Sequence, residues 1–199
     1  MVNWVYQPTT LGDLLALYLQ PNLNANRSVR HGDLVMVYHD QTLIGMNLYQ
    51  PKTYLPSLTS GILRRIEASW LETINALLKK AGVSESLTPF HSGFSIGEIT
   101  QVETHPDADH LFVCQVNLGQ KTIQVVTNSK KVKPLDKVVV ALPGTLLNDG
   151  TFIQEGMMMQ VASQGMFCSE KTLGISPETQ VGVFVLPQNA IIGKDFYAQ

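Results

Sequence analysis

The sequence predicts a mainly β protein with some α structure, in two domains. A small α+β domain over residues 1–90 ends in one helix, and a small five-stranded barrel follows over residues 91–199. Three observations carry this. Short apolar runs of strand length, bounded by glycine, proline and aspartate, recur along the chain. One long stripe at helical spacing lies at about 60–81. The segment from Ser84 to Ser92 is short, polar and broken by Pro89, which marks a boundary. With 199 residues, 44% of them hydrophobic, the chain can bury one core or two small ones.

The first elements are a near-repeat. Gly12-Asp13 turns into Leu14-Leu15-Ala16-Leu17-Tyr18, and Gly32-Asp33 turns into Leu34-Val35-Met36-Val37-Tyr38. Each reads as a buried strand after a turn, although the first run also fits one or two helical turns. After His39-Asp40-Gln41-Thr42 the chain returns as Leu43–Tyr49, a hairpin that Pro51 and Pro56 end. Ile62, Leu63, Ile66, Trp70, Ile74, Leu77, Leu78 and Ala81 then form the helical stripe, with Thr59 or Ser60 to cap its start and Gly82 to end it. Arg64, Arg65, Lys79 and Lys80 fall off the stripe on a solvated face, where the last-turn lysines complement the helix dipole.

The second domain opens on Ile96–Val102, Leu111–Val116, Ile123–Val126 and Val138–Ala141. At roughly 100 residues, such short strands make an OB-fold barrel the natural candidate. Two stretches invite other chemistry. Gly93-Phe94-Ser95-Ile96-Gly97 has the spacing of a hydrolase nucleophile elbow, but a helix should follow the serine and the residues that do follow alternate like a strand. His105-Pro106-Asp107-Ala108-Asp109-His110 concentrates imidazoles and carboxylates without a recognised metal-ligand spacing, so a turn is expected.

Net charge is −2, which argues against a generally basic nucleic-acid or membrane-surface protein. Residues 93–199 hold seven lysines, no arginine and ten acids, and residues 1–92 carry a charge of +1. Any binding of a polyanion therefore requires the cations to gather, and Lys130, Lys131 and Lys133 do, beside Asn128 and Ser129. Two cysteines, Cys114 and Cys168, suit buried thiols in a reducing cytosol. The N-terminus shows no signal-peptide pattern and no apolar run reaches membrane-span length, so a cytoplasmic location is expected.

Four motifs in one order carry a resemblance: Ile96-Gly97-Glu98-Ile99; His105-Pro106-x-Ala108-Asp109-x-Leu111; Val140-Ala141-Leu142-Pro143-Gly144; and Ser163-x-Gly165-Met166-x-Cys168-Ser169-Glu170-x-x-Leu173-Gly174. Together they resemble the EMAPII-type tRNA-binding domain, found also at the N-terminus of the phenylalanyl-tRNA synthetase β-chain. The first half resembles stand-alone YtpR-type proteins. The resemblance implies an OB-fold that binds tRNA by shape and backbone contacts, with no catalysis and no cofactor. Ser163, Met166 and Ser169 are the implied RNA contacts, with Gly165 allowing close backbone approach. An aminoacyl-tRNA synthetase and a second copy of the chain are implied candidate partners. The sequence departs from the family in Met159-Gln160, where Arg-Gly is frequent, in His110, where lysine is frequent, and at Thr127-Asn128-Ser129-Lys130, near a frequent Gly-Ala-x-Asn turn. These departures bear on affinity rather than fold. The alternative is an OB-fold adaptor that binds a protein and has little RNA affinity.

Overall fold

A computed structural model describes residues 1–176 and 182–198. The chain is mainly β with few helices and divides into two compact units, Met1–Ser92 and Gly93–Gln199.

In the first unit the elements are β1 (Asn3–Tyr6), the single-turn α1 (Pro8–Leu11), β2 (Leu14–Tyr18), β3 (Arg27–His31), β4 (Leu34–His39), β5 (Thr42–Tyr49), β6 (Gly61–Leu63) and α2 (Ala68–Lys80). The strands form one antiparallel sheet in the order β3-β4-β5-β2-β1-β6. Period-two alternation sends Leu15, Leu17, Leu34, Met36, Met46 and Leu48 into one core with Trp4 and the helix. The hairpin over β4 and β5 follows the alternation in the sequence.

The helix differs from expectation. It spans Ala68–Lys80 rather than about 60–81, and Glu67, not Thr59 or Ser60, occupies the N-cap. Ile62 and Leu63 pair instead with Val5 and Trp4, which covers the free edge of β1. Gly61 enters this strand at φ +130°, a conformation no helix uses. What remains of the stripe on the helix is Trp70, Ile74 and Leu78, all buried, with Leu77 half-buried against the same core. Burial of such side chains stabilises by about 2 kcal/mol each, and a helix this short depends on that packing. Gly82, at φ +78°, ends it as the sequence predicts: its N–H donates to Lys79 O, and Val83 N–H donates to Leu78 O.

The second unit contains β7 (Phe94–His105), β8 (Ala108–Asn117), β9 (Thr122–Thr127), β10 (Lys137–Ala141), β11 (Gly156–Met158), β12 (Val161–Ser163), β13 (Met166–Phe167), the short α3 (Glu170–Leu173) and β14 (Val185–Leu186). The principal sheet runs β13-β10-β7-β8-β9, with β14 also on β10. Strand β7 is shared: Phe94–Glu98 pair with β10, and Glu98–His105 pair with β8 through two register shifts. A bent strand of this kind lets one sheet curl. Gly97 sits at the changeover, where a Cβ would lie 2.6 Å from Val116 Cγ1 and 2.9 Å from Leu118 Cδ2.

The far ends of the sheet meet around Gln124 and Gln164. Gln164 N–H donates to Gln124 O at 2.8 Å, and Gln124 N–H donates to Gln164 Oε1 at 3.1 Å. Gln124 Nε2 donates to Ala162 O at 2.8 Å. Inside lie Ile99, Cys114, Val116, Val125, Val138 and Val140. Both cysteines are buried, and burial pushes the Cys114 thiol up to about 11.

Candidate nucleic-acid interface

The loop after β9 begins with a local turn in which Ser129 N–H donates to Thr127 Oγ1 at 3.2 Å. Val132, 8% exposed, anchors the other end of the loop in the core. Between these fixed points Asn128, Lys130 and Lys131 are exposed. Among the described residues neither of these two ammonium groups has a carboxylate partner.

Facing the loop is the segment that starts at β13. Ser169 caps α3: its Oγ accepts from Thr172 N–H at 3.2 Å and lies 3.0 Å from Thr172 Oγ1. Gly174 at φ +70° closes this one-turn helix. A groove of about 330 Å³ runs between the two segments. Asn128, Ser129, Lys130 and Lys131 line one side, and Met166 and Ser169 belong to the other. Six of the nine residues singled out in the sequence thus converge on one depression, although Thr127 and Thr172 are 45 positions apart in the chain.

The remaining three stand elsewhere. Ser163 is 7% exposed and its hydroxyl is used inside the fold, accepting from Val126 N–H at 3.1 Å and donating to Gly165 O at 3.2 Å. It locks β12 to β9 and has no face toward the groove. A Cβ on Gly165 would lie 3.0 Å from both Ala141 O and Val140 Cγ1, so the close backbone approach expected at this glycine is made to β10. Lys133 is exposed outside the groove, and its N–H donates to Asp136 Oδ2 at 3.1 Å. Phe167, Thr172 and Val183 line the groove and were not foreseen. A signal existed for Thr172, which stands three residues after a serine of capping type and therefore faces that serine across one helical turn.

The two decoys resolve structurally. Ser95 is 4% exposed as the second residue of β7, paired with Val140, and the strand continues past it to His105 with no turn to a helix. His105, 2% exposed, accepts from Asp107 N–H at Nδ1 and lies 2.9 Å from Met158 O at Nε2, so both ring nitrogens serve the turn and the β11–β12 hairpin. Among the described residues no group of three metal-ligating side chains occurs.

A family model described as "Putative tRNA binding domain" matches residues 94–195, just over half the chain. The chain belongs to this family. It is 31% identical over 98% of its length to "Putative tRNA-binding protein YtpR" of Bacillus subtilis (strain 168), covering 99% of that protein. It is also 46% identical, over 50% of its length, to the phenylalanine–tRNA ligase beta subunit of Clostridium tetani, and 42% identical over the same share to that of Clostridium acetobutylicum. Each of those matches covers 13% of the ligase subunit. The family match covers the unit that holds the groove, while the match to the Bacillus protein extends across both units. Among the described residues no helix is long and apolar enough to cross a membrane.

Proposed function

We propose that the chain is a non-catalytic, cytoplasmic tRNA-binding protein whose second unit, an OB-type barrel, holds folded RNA by backbone and shape contacts at the Lys130–Met166 groove. The observation that carries this reading is the convergence of Asn128, Ser129, Lys130, Lys131, Met166 and Ser169 on one groove in a unit of this family. The hydrogen-bonded seam between Gln124 and Gln164 supports the closed barrel. The names of the relatives support tRNA as the ligand.

The chemistry follows from charge and reach. Residues 93–199 carry a net charge of −3, so a diffuse attraction to RNA is absent and binding depends on local lysines. Lys130 and Lys131 supply point charges to phosphates, while Asn128 and Ser129 bond phosphate or ribose oxygens. Such contacts follow the backbone path of a folded RNA rather than its sequence. Partners beyond tRNA that fit this reading are an aminoacyl-tRNA synthetase and a second copy of the chain.

A protein adaptor is the second reading, favoured by one observation. Met157, Met158 and Met159 are 66%, 41% and 55% exposed on the hairpin of β11 and β12. Filter binding to bulk tRNA and to a length-matched unstructured RNA, across salt, separates the two. Preference for tRNA is expected, with a slope of log K against log[salt] of at least about −1.4 to −1.8, the share of the two groove lysines, and steeper if further cations reach the RNA. Equal weak binding to both RNAs supports the adaptor instead.

A further inference from the structure

We propose that the groove captures one unpaired nucleotide of the bound RNA, a contact that a continuous duplex cannot make. This rests on the RNA-binding reading of the same groove and specifies its ligand. The first support is size. At about 330 Å³ the depression lies at the lower end of the ~300–1,000 Å³ range of small-molecule sites, room for a group of nucleoside dimensions. A flat backbone-tracking surface needs no such depression. A paired helix keeps its bases stacked inside and offers a protein phosphate, ribose and base edges but no base face.

The second support is the lining. Met166 and Phe167 are apolar groups from β13, and Val183 adds a third. A phosphate gains nothing from such a floor, whereas the face of an unstacked base does, and a methionine sulfur packs well on aromatic rings. Polar groups stand beside this floor: the hydroxyl of Thr172 and the side chains of Asn128 and Ser129. When Ser169 donates to Thr172 Oγ1, the Thr172 hydroxyl retains its own proton for a ligand acceptor. Lys130 and Lys131 complete the set by holding the phosphates on either side of the extruded nucleotide. An apolar floor, neutral hydrogen-bonding groups and lysines together match one nucleotide unit part for part: base, ribose and phosphate.

The test compares two hairpin RNAs, one with a single bulged 2-aminopurine and one fully paired, titrated against the full chain. The bulged RNA is expected to bind about tenfold more tightly, the worth of one packed base, and its 2-aminopurine emission to change on binding. Thr172→Leu, which narrows the groove and leaves Asn128, Ser129 and both lysines in place, is expected to remove the preference and keep binding to the paired hairpin. Equal affinity for the two hairpins, with both lost on Lys130→Ala/Lys131→Ala, overturns nucleotide capture and leaves the RNA-binding reading intact. Absence of binding to either hairpin at low salt overturns both.

Discussion

Replacing Ser163 by alanine separates a role inside the fold from a role at the RNA. Its hydroxyl accepts from Val126 N–H and donates to Gly165 O, and the residue is 7% exposed. Alanine leaves the Val126 N–H buried without this partner. An orphaned buried donor costs about 1–3 kcal/mol, and the lost bond to Gly165 adds about 1 kcal/mol. The total is about 2–4 kcal/mol. At about 4 °C per kcal/mol for a unit of this size, the second unit should melt about 8–16 °C lower. Circular dichroism melting reads that shift. RNA affinity and its salt slope, measured well below the transition, should stay at the unsubstituted values. An unchanged melting temperature together with weakened RNA binding would refute the reasoning and return Ser163 to the interface.

Three further outcomes are expected. Lys130→Ala/Lys131→Ala should reduce the magnitude of the log K–log[salt] slope for tRNA by about 1.4–1.8, against little change for Lys133→Ala, which lies outside the groove; a slope that moves equally for all three lysines contradicts the groove. Met159 and Gln160, at φ +45° and +69°, occupy a hairpin turn that prefers Asn-Gly, so M159N/Q160G should raise stability by about 1 kcal/mol in denaturant titration. Burial holds the Cys114 thiol protonated up to about 11, against an ordinary value of 9.0. The folded state therefore binds the proton more tightly than the unfolded state. Its contribution is complete below pH 9 and falls as pH rises toward about 11, by at most about 1.4 kcal/mol per pH unit. Cys114→Ala should flatten that part of the stability–pH curve.

Sequence was informative wherever one face of an element is buried. The β4–β5 hairpin alternates because Met36 and Met46 point inward together. Strand β3 gave no such signal: as an edge strand it exposes four of its five residues, so Arg27-Ser28-Val29-Arg30-His31 has no apolar rhythm. Ile62 and Leu63 misled because a short strand and a helix, adjacent in the chain and buried in one core, produce a single continuous stripe. At the candidate site the motif located a segment that lines the groove, without its orientation. Whether the Ser163 side chain faces RNA or sheet depends on the seam to Gln124, a pairing across 40 residues that local pattern does not encode. Lys133 reads as one cluster with Lys130 and Lys131, yet Val132, buried between them, splits the cluster.

The seam between Gln124 and Gln164 also has a consequence for how the second unit breathes. Strand β9 is held along one edge by a continuous ladder to β8 and along the other by a few bonds from Ala162, Ser163 and Gln164. Opening that second edge exchanges few hydrogen bonds, so the Gln164 and Val126 amides should trade deuterium well before those of the β7–β8 ladder. While it is open, Thr122–Thr127 presents an unpaired, β-branched edge, the kind of surface that templates aggregation. The side chain of Gln124 therefore acts as a latch: its bond to Ala162 makes each such opening rarer and so protects the protein's solubility, whatever the groove happens to hold.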